Sequence, residues 1–409
     1  MRAILRMLVS ALVAFSCLSA MAAPYTAGTI LPSAPAAERD AALLDFYRQW
    51  KEVYFQHGCG DGRAFVDVAA DGKPVYGGTE AQSITVSEAH GYGMLALVMM
   101  AAYDTEARSD FDRMVRFFHD HPAQSSAGLM AWNQVEGCAD AGADVGGSNS
   151  ATDGDLDIAY ALLLADRIWG STGEIDYRAK ARSVIDAIMT YDVAPKGKHL
   201  LIGDWVGNPD DLSYAQTTRS SDWMVSHLRS FADLEEGGDW SAVADRTYAI
   251  IDAIRDPQTG LVPDFIIDLD TVPQPAPTMF LEGEHDGDYA WNACRYPWRL
   301  ALDYLLHGEV RAREATASLN RWIVAATSGS PHAIANGYEL DGTPMDEGRG
   351  SMAFVAPFGV SAMVDSRNQA WLDAVWADVV AREIGDEDYY GNTIKLLSMI
   401  VMSGHWPTP

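Results

Sequence analysis

The sequence predicts an all-α protein, an (α/α)6 barrel or toroid of six inner and six outer helices. Three observations lead there. Apolar residues recur at helical spacing almost throughout, and few runs show the alternation of a strand. The periodic segments number about twelve. Their connections alternate in length, with long Gly-, Pro- and Asp-rich stretches before the second, fourth, sixth, eighth and tenth helices and links of a few residues elsewhere. Short links make antiparallel neighbours. A chain of such hairpins closes into a ring and sends every long loop to the same end.

In chain order, residues 1–22 have the form of a secretory signal peptide: Arg2 and Arg6, an apolar run from Met7 to Leu18, then Ala20-Met21-Ala22. The first hairpin pairs a helix at 36–56 with one at 85–103 across a long loop. Helices at 106–120 and 154–169 are again separated by a long loop, and 173–191 and 219–236 by another. Segments 239–255 and 291–306 bracket the longest loop, which carries the Pro-rich run 271–277. That run is too short for a linker and lies inside the alternation. Helices at 308–328, 357–365, 368–383 and 389–403 complete the ring. One domain is therefore expected to fill residues 23–409.

Beyond the leader, no apolar run approaches the roughly 20 residues of a membrane span, so a soluble, exported protein of periplasm or culture medium, not a membrane protein, is expected. The formal charge of -28 argues against nucleic acid and leans toward tolerance of a cationic substrate. Of four cysteines, Cys17 leaves with the signal. Cys59 and Cys138 lie in Gly-rich polar segments, so one disulfide between two loops with Cys294 as a buried thiol fits an oxidising compartment; three unpaired buried thiols fit as well. A monomer is expected.

The chemistry concentrates at helix starts. Residues 151–160 place Asp153, Asp155 and Asp157 at alternate positions where a loop feeds an apolar helix, and Glu88 follows Ser87 at a similar junction. The amino-terminal dipole favours a charged carboxylate and burial disfavours it, so neighbouring acids can be held in different protonation states. That split suits bond cleavage by a proton donor and an ionised partner, with no cofactor. Gly91 and Gly93 each cost a helix about 1 kcal/mol relative to Ala and permit close approach of a backbone or ligand. With His90 and Tyr92 between them, they suggest a helix end packed against a pocket. Asp153 is best placed to stay ionised, whereas Asp155 and Asp157 are expected to hold backbone and Arg groups. A calcium loop is excluded because Ile158 stands where Gly is required.

Aromatic side chains sit among these acids: Trp132, Trp205, Tyr214, and Tyr289 with Trp291. Flat rings beside carboxylates suit the faces of pyranose sugars, and Trp132 and Trp205 are the expected platforms, with Trp298 in the core. Residues 281–288 contribute Glu282 and Glu284 as candidates for a second carboxylate. No nucleophile elbow, phosphate loop or zinc helix occurs, and His57, His90 and His285 read as structural, so no metal is expected.

These motifs together resemble glycoside hydrolase family 8, from about Cys59 to the end. The most specific piece is Ala151–Trp169, ATDGDLDIAYALLLADRIW; SEAHGYGM around Glu88, CRYPWR at 294–299, and the tail from Tyr389-Tyr390-Gly391-Asn392 to Gly404-His405-Trp406 support it. The resemblance implies an inverting endo-hydrolase of β-1,4-linked glycans on an (α/α)6 barrel, with Glu88 as general acid and Asp153 binding and distorting the sugar. Many members carry Asp as general base just before Arg-x-Pro-Trp-Arg, where this chain has Asn292, and a neutral amide cannot take a proton from water. A branch of the family shares that Asn and uses a Glu in the preceding loop; Glu282 resembles it, and Glu284 is next in line. Tyr214 resembles a water-orienting tyrosine. Tyr92, Tyr289, Asn292 and Arg295 complete the candidate substrate contacts.

The branch includes cellulases, mixed-linkage glucanases and chitosanases, so a polysaccharide partner is expected: cellulose-type or mixed-linkage β-glucan first, chitosan as the alternative. A glycan-binding protein that lost turnover through Asn292 is the rival from another class. A sugar isomerase or lyase on the same toroid is disfavoured, because its His and Tyr pairs or metals cannot be assembled here. Single displacement would place the two catalytic carboxyls roughly 6.5–9.5 Å apart.

Overall fold

Six helices that are buried nearly all round form a closed inner ring in the computed structural model, which describes residues 25–74, 82–142, 145–207, 212–234, 238–346 and 348–409. The inner helices are α2 (Ser87–Met99), α4 (Thr152–Trp169), α6 (Val225–Ala232), α8 (Tyr296–His307), α10 (Met352–Ala362) and α12 (Tyr389–Met402). Each packs on the next, and α12 packs back on α2. The outer layer is α1 (Ala36–Tyr54), α3 (Ala107–Asp120), α5 (Tyr177–Tyr191), α7 (Trp240–Ile254), α9 (Val310–Ala326) and α11 (Gln369–Ala381), each against an inner partner. This is the expected (α/α)6 barrel. The split follows composition: every residue of α2, α10 and α12 is buried, whereas α3 buries one stripe and wets the other. No helix among the described residues is long and apolar enough to cross a membrane. The leader 1–22 lies outside the described residues.

The long loops emerge at the amino-terminal ends of the inner helices. Outer helices α5, α7 and α9 are capped by Asp176, Asp239 and Glu309, whose carboxylates accept backbone N–H bonds. Val86, Ala151, Met224 and Arg295, which precede α2, α4, α6 and α8, make no such side-chain cap. Partly positive helix ends therefore converge on one face, a field that favours anions.

Short strands fasten the loops there. Strands β1 (Phe55–His57) and β2 (Ala64–Val66) pair antiparallel, as do β3 (Ser83–Val86), β4 (Asn133–Val135) and β5 (Ala139–Asp140) in a second sheet. A third sheet orders β6 (Thr218–Arg219), β7 (Phe265–Ile267) and β8 (Gln274–Pro275). Cys59 and Cys138 form a disulfide across 79 residues, tying the loop after β1 to the turn between β4 and β5, and Cys294 is free and buried.

Three helices depart from the sequence expectation. Helix α10 begins at Met352, before the expected 357, and carries Pro357 inside it. Its first turn is held from outside: Ser351 caps Ala353 N–H, and the Glu387 carboxylate accepts from Ser351 Oγ and Met352 N. Helix α6 is shorter than 219–236, because Thr218 and Arg219 pair with β7 and Ser220–Asp222 form a 3-10 turn. Helix α8 starts at Tyr296 rather than near 291, after a 3-10 turn at Ala293–Arg295.

Gly91 and Gly154 bring α2 and α4 into backbone contact. A Cβ on Gly91 would lie 2.8 Å from Asp157 Cβ, and one on Gly154 would lie 2.5 Å from Ser87 Oγ. Close approach is thus why Gly91 stands in a helix. Replacing Gly154 by Ala should overpack this crossing and cost about 1–3 kcal/mol, read as a lower urea midpoint at unchanged slope. Cys138→Ser should cost about 2–4 kcal/mol, and reductant should then leave the variant's midpoint unmoved while lowering that of the parent.

Candidate active site

Glu88, Asp153 and Glu282, from three separate loop and helix junctions, line one cleft of about 620 Å³ on the face where the helix starts converge. Beneath them lies Arg295, 2% exposed. Its Nη1 donates to Glu88 Oε2 at 2.6 Å and to Asp153 Oδ2 at 2.9 Å, and its Nη2 donates to Asn292 Oδ1 at 2.9 Å. One guanidinium thereby sets three side chains from α2, α4 and the approach to α8. Tyr389 adds a hydroxyl bond of 3.5 Å to Glu88 Oε1.

Asp153 is doubly paired. Its Oδ1 accepts from Arg219 Nη2 at 3.0 Å and from Gly154 N–H at 2.9 Å. Burial pushes its carboxyl up, but Arg219, Arg295 and the Gly154 N–H outweigh that and hold it below the usual carboxylate range. These contacts favour its charged form. Asp155 takes the opposite course, since burial and the neighbouring Asp192 push it well above the ordinary value. Its Oδ1 accepts from Met130 N–H. Asp157 is held by Arg299 at 2.9 Å and His227 at 3.0 Å. Three acids at alternate positions are therefore one cleft group and two internal ties.

Glu282 is the exposed member, with 48% of its side chain accessible. Its Oε2 accepts from Asn292 Nδ2 at 2.8 Å, and Arg219 Nη1 lies 3.6 Å from its Oε1. The Asp286 carboxylate binds the N–H groups of Leu281, Glu282 and Gly283 at 2.7, 3.1 and 3.0 Å, which fixes the backbone under it. Glu284 is exposed and stands outside the cleft lining. Asn292 faces carboxylates with its NH2 and a guanidinium with its oxygen, so its amide orientation is set by chemistry.

Several expected substrate contacts lie elsewhere. Tyr92 is fully buried, and its hydroxyl accepts from Arg295 at 3.2 Å beneath the cleft. Tyr289 is likewise buried, paired through its backbone with Tyr338, so the long loop turns its ring into the core. Asn292 and Arg295 line the cleft, yet both are spent on internal hydrogen bonds. Trp205 and Tyr214 pack edge to face at 5.1 Å in a small cluster with Phe280, outside the central lining. Trp132 does line the cleft, positioned by its Nε1 bond of 3.0 Å to Gly146 O, and Trp298 is core.

Sequence reasoning passed over Arg219, Asp264 and Asp286, and preferred Tyr289 to Trp291. Trp291, 46% exposed, lines the cleft and rests edge to face on Phe354 at 4.9 Å. Its position beside Asn292 was the available signal. Arg219 offered none, because only folding brings it to Asp153. Among the described residues no three His, Cys, Asp or Glu side chains are placed to hold a metal ion.

Comparison with known proteins gives the family. The profile of Glycosyl hydrolases family 8 matches residues 10–404. A beta-glucanase of Niallia circulans is 42% identical over 388 residues, 94% of this chain and 90% of its own. An endoglucanase of Bacillus sp. (strain KSM-330) is 33% identical, over 90% of this chain and 77% of its own. The apo structure of a beta-1,3-1,4-glucanase from Paenibacillus sp. X4 superposes with a TM-score of 0.86 at 41% identity, over 95% of this chain and 98% of its own. Rex8A from Paenibacillus barcinonensis, at 18% identity and a TM-score of 0.72, shares the fold. With two acids and an ion-paired aspartate around one cleft, and that match over nearly its whole length, the chain belongs to glycosyl hydrolases family 8 and is a glycoside hydrolase.

Proposed function

We propose that this chain is an exported, inverting endo-β-1,4-glucanase whose substrate is mixed-linkage β-1,3-1,4-glucan, with cellulose-type glucan cut more slowly. The observation that carries the reading is the convergence of Glu88 and Glu282 on one open cleft, with an ionised Asp153 beside them. Relatives named beta-glucanase and beta-1,3-1,4-glucanase, at 42% and 41% identity, support the substrate class. Trp132 and Trp291 offer indole faces for sugar rings. The amino-terminal leader supports export.

In this reading Glu88 gives its proton to the glycosidic oxygen as the bond from that oxygen to the anomeric carbon breaks. Water attacks the same carbon from the opposite face, and Glu282 takes the proton that water loses. Asp153, held ionised by two guanidiniums, accepts from a sugar hydroxyl and offsets the positive charge that develops on the ring. One displacement inverts the centre. The exposure of Glu282 suits a group that must meet water, whereas Glu88, 8% exposed, lines the floor of the same cleft.

Replacing Glu282 by Gln should lower glucan hydrolysis by about 10²–10⁴-fold, on natural and activated substrates alike. Glu88→Gln should show the same loss on glucan but keep most of its rate on a dinitrophenyl cello-oligosaccharide, whose leaving group needs no proton. Wild-type activity in Glu282→Gln would remove that residue as base. Fresh reducing ends, followed by proton NMR, should be α. Reducing-sugar release should be highest on mixed-linkage glucan and lower on carboxymethylcellulose. Activity confined to chitosan would transfer the assignment to that cationic polymer, and binding without product would support a non-catalytic glycan binder.

A further inference from the structure

Glu282 projects from a loop with nearly half its side chain in water, yet a base must hold its oxygen within about 0.5 Å of a productive position. Two contacts steady that carboxylate among the described residues, the 3.6 Å approach of Arg219 and the 2.8 Å bond from Asn292 Nδ2. Asn292 is itself gripped from behind. Asp264, 4% exposed and just before β7, accepts from Asn292 N at 3.0 Å and from Asn292 Nδ2 at 3.3 Å through Oδ2. Its Oδ1 accepts from Ala290 N at 3.0 Å and Ala293 N at 2.7 Å. The Asn292 amide thus stands between two carboxylates and gives one NH2 group to both.

We propose that Asp264 is a positioning residue for the reaction, holding the Asn292 amide in the orientation that presents Nδ2 to Glu282 and so fixing the water-activating carboxylate. This rests on the reading of Glu282 as base. The network also accounts for a neutral residue at 292. An Asp there would press a third carboxylate between Asp264 and Glu282, whereas an amide can donate to both while its oxygen accepts from Arg295. The line of contacts then runs from Asp264 through Asn292 to Glu282 on one side and through Arg295 to Glu88 and Asp153 on the other.

The electrostatics agree. Burial pushes the Asp264 carboxyl up to about 7, against the N–H groups of Asn292, Ala293 and Ala290 and with the Glu282 charge adding to the rise. The Glu282 charge is therefore felt at Asp264. Tyr289 and Cys294 also face Asp264 and are themselves pushed up by burial.

A role confined to capping the turn at 290–293 would lower stability and leave turnover per folded molecule intact. The test is kinetics on mixed-linkage glucan with Asp264→Asn, Asn292→Ser, the double variant and Glu282→Gln, each corrected for folded fraction by circular dichroism. Asp264→Asn should lose about 10–100-fold in kcat with KM within threefold. The double variant should be no slower than Asn292→Ser, because both changes cut the same path. If Asp264→Asn does not fold, Asn292→Ser, which leaves Asp264 its backbone contacts, should show the same loss in kcat. Wild-type turnover in folded Asp264→Asn or Asn292→Ser, or losses that multiply in the double variant, would overturn the positioning role while an inactive Glu282→Gln keeps the base assignment standing. An active Glu282→Gln would overturn both.

Discussion

A single buried guanidinium, that of Arg295, holds together side chains that arrive from three distant parts of the chain. Taking such a cation out of water costs several kcal/mol, and the cost is recovered only when its donors meet acceptors of good geometry. Here they meet Glu88, Asp153, Tyr92 and Asn292. The barrel supplies the rigidity this needs. Helices α2 and α4 touch through glycines, so the first turns bearing Glu88 and Asp153 cannot drift apart, and Arg295 joins them from the start of α8.

The cleft sits where the field of the fold is favourable. Helices α2, α4 and α8 start at it without a side chain on the preceding residue capping them, so their amino-terminal ends add a positive potential to Arg219 and Arg295. That potential lets buried Asp153 remain an anion, while Asp155, two residues on and facing other acids, is driven toward its neutral form. The contrast comes from surroundings, since both are aspartates within the first turn of one helix. Charge of the whole molecule, -28, has little to say about this local balance.

The loops have a second task, which is to bring a carboxylate from the longest of them over the cleft. Asp286 ties the backbone beneath Glu282, and around the sheet formed by β6, β7 and β8 Arg219 approaches Glu282 while Asp264 holds Asn292. Asn292 occupies the crossing point of these ties. Its amide has two hydrogens and an oxygen to share, and carboxylates and a guanidinium stand where each is needed.

Periodicity and loop spacing alone determined the helix count and the closed ring, because burying one face of each helix in sequential hairpins leaves few other arrangements. Glu88 and Asp153 were legible for a related reason: carboxylates at the starts of apolar helices are set by local sequence. What only the tertiary structure decided was which groups meet. The ring of Tyr289 turned inward and that of Trp291 outward, Pro357 fell inside a helix anchored by Glu387, Arg219 reached Asp153, and Asp264 reached the amide of Asn292. Such contacts depend on where long loops close, and no periodic pattern within a loop encodes the partner it will find.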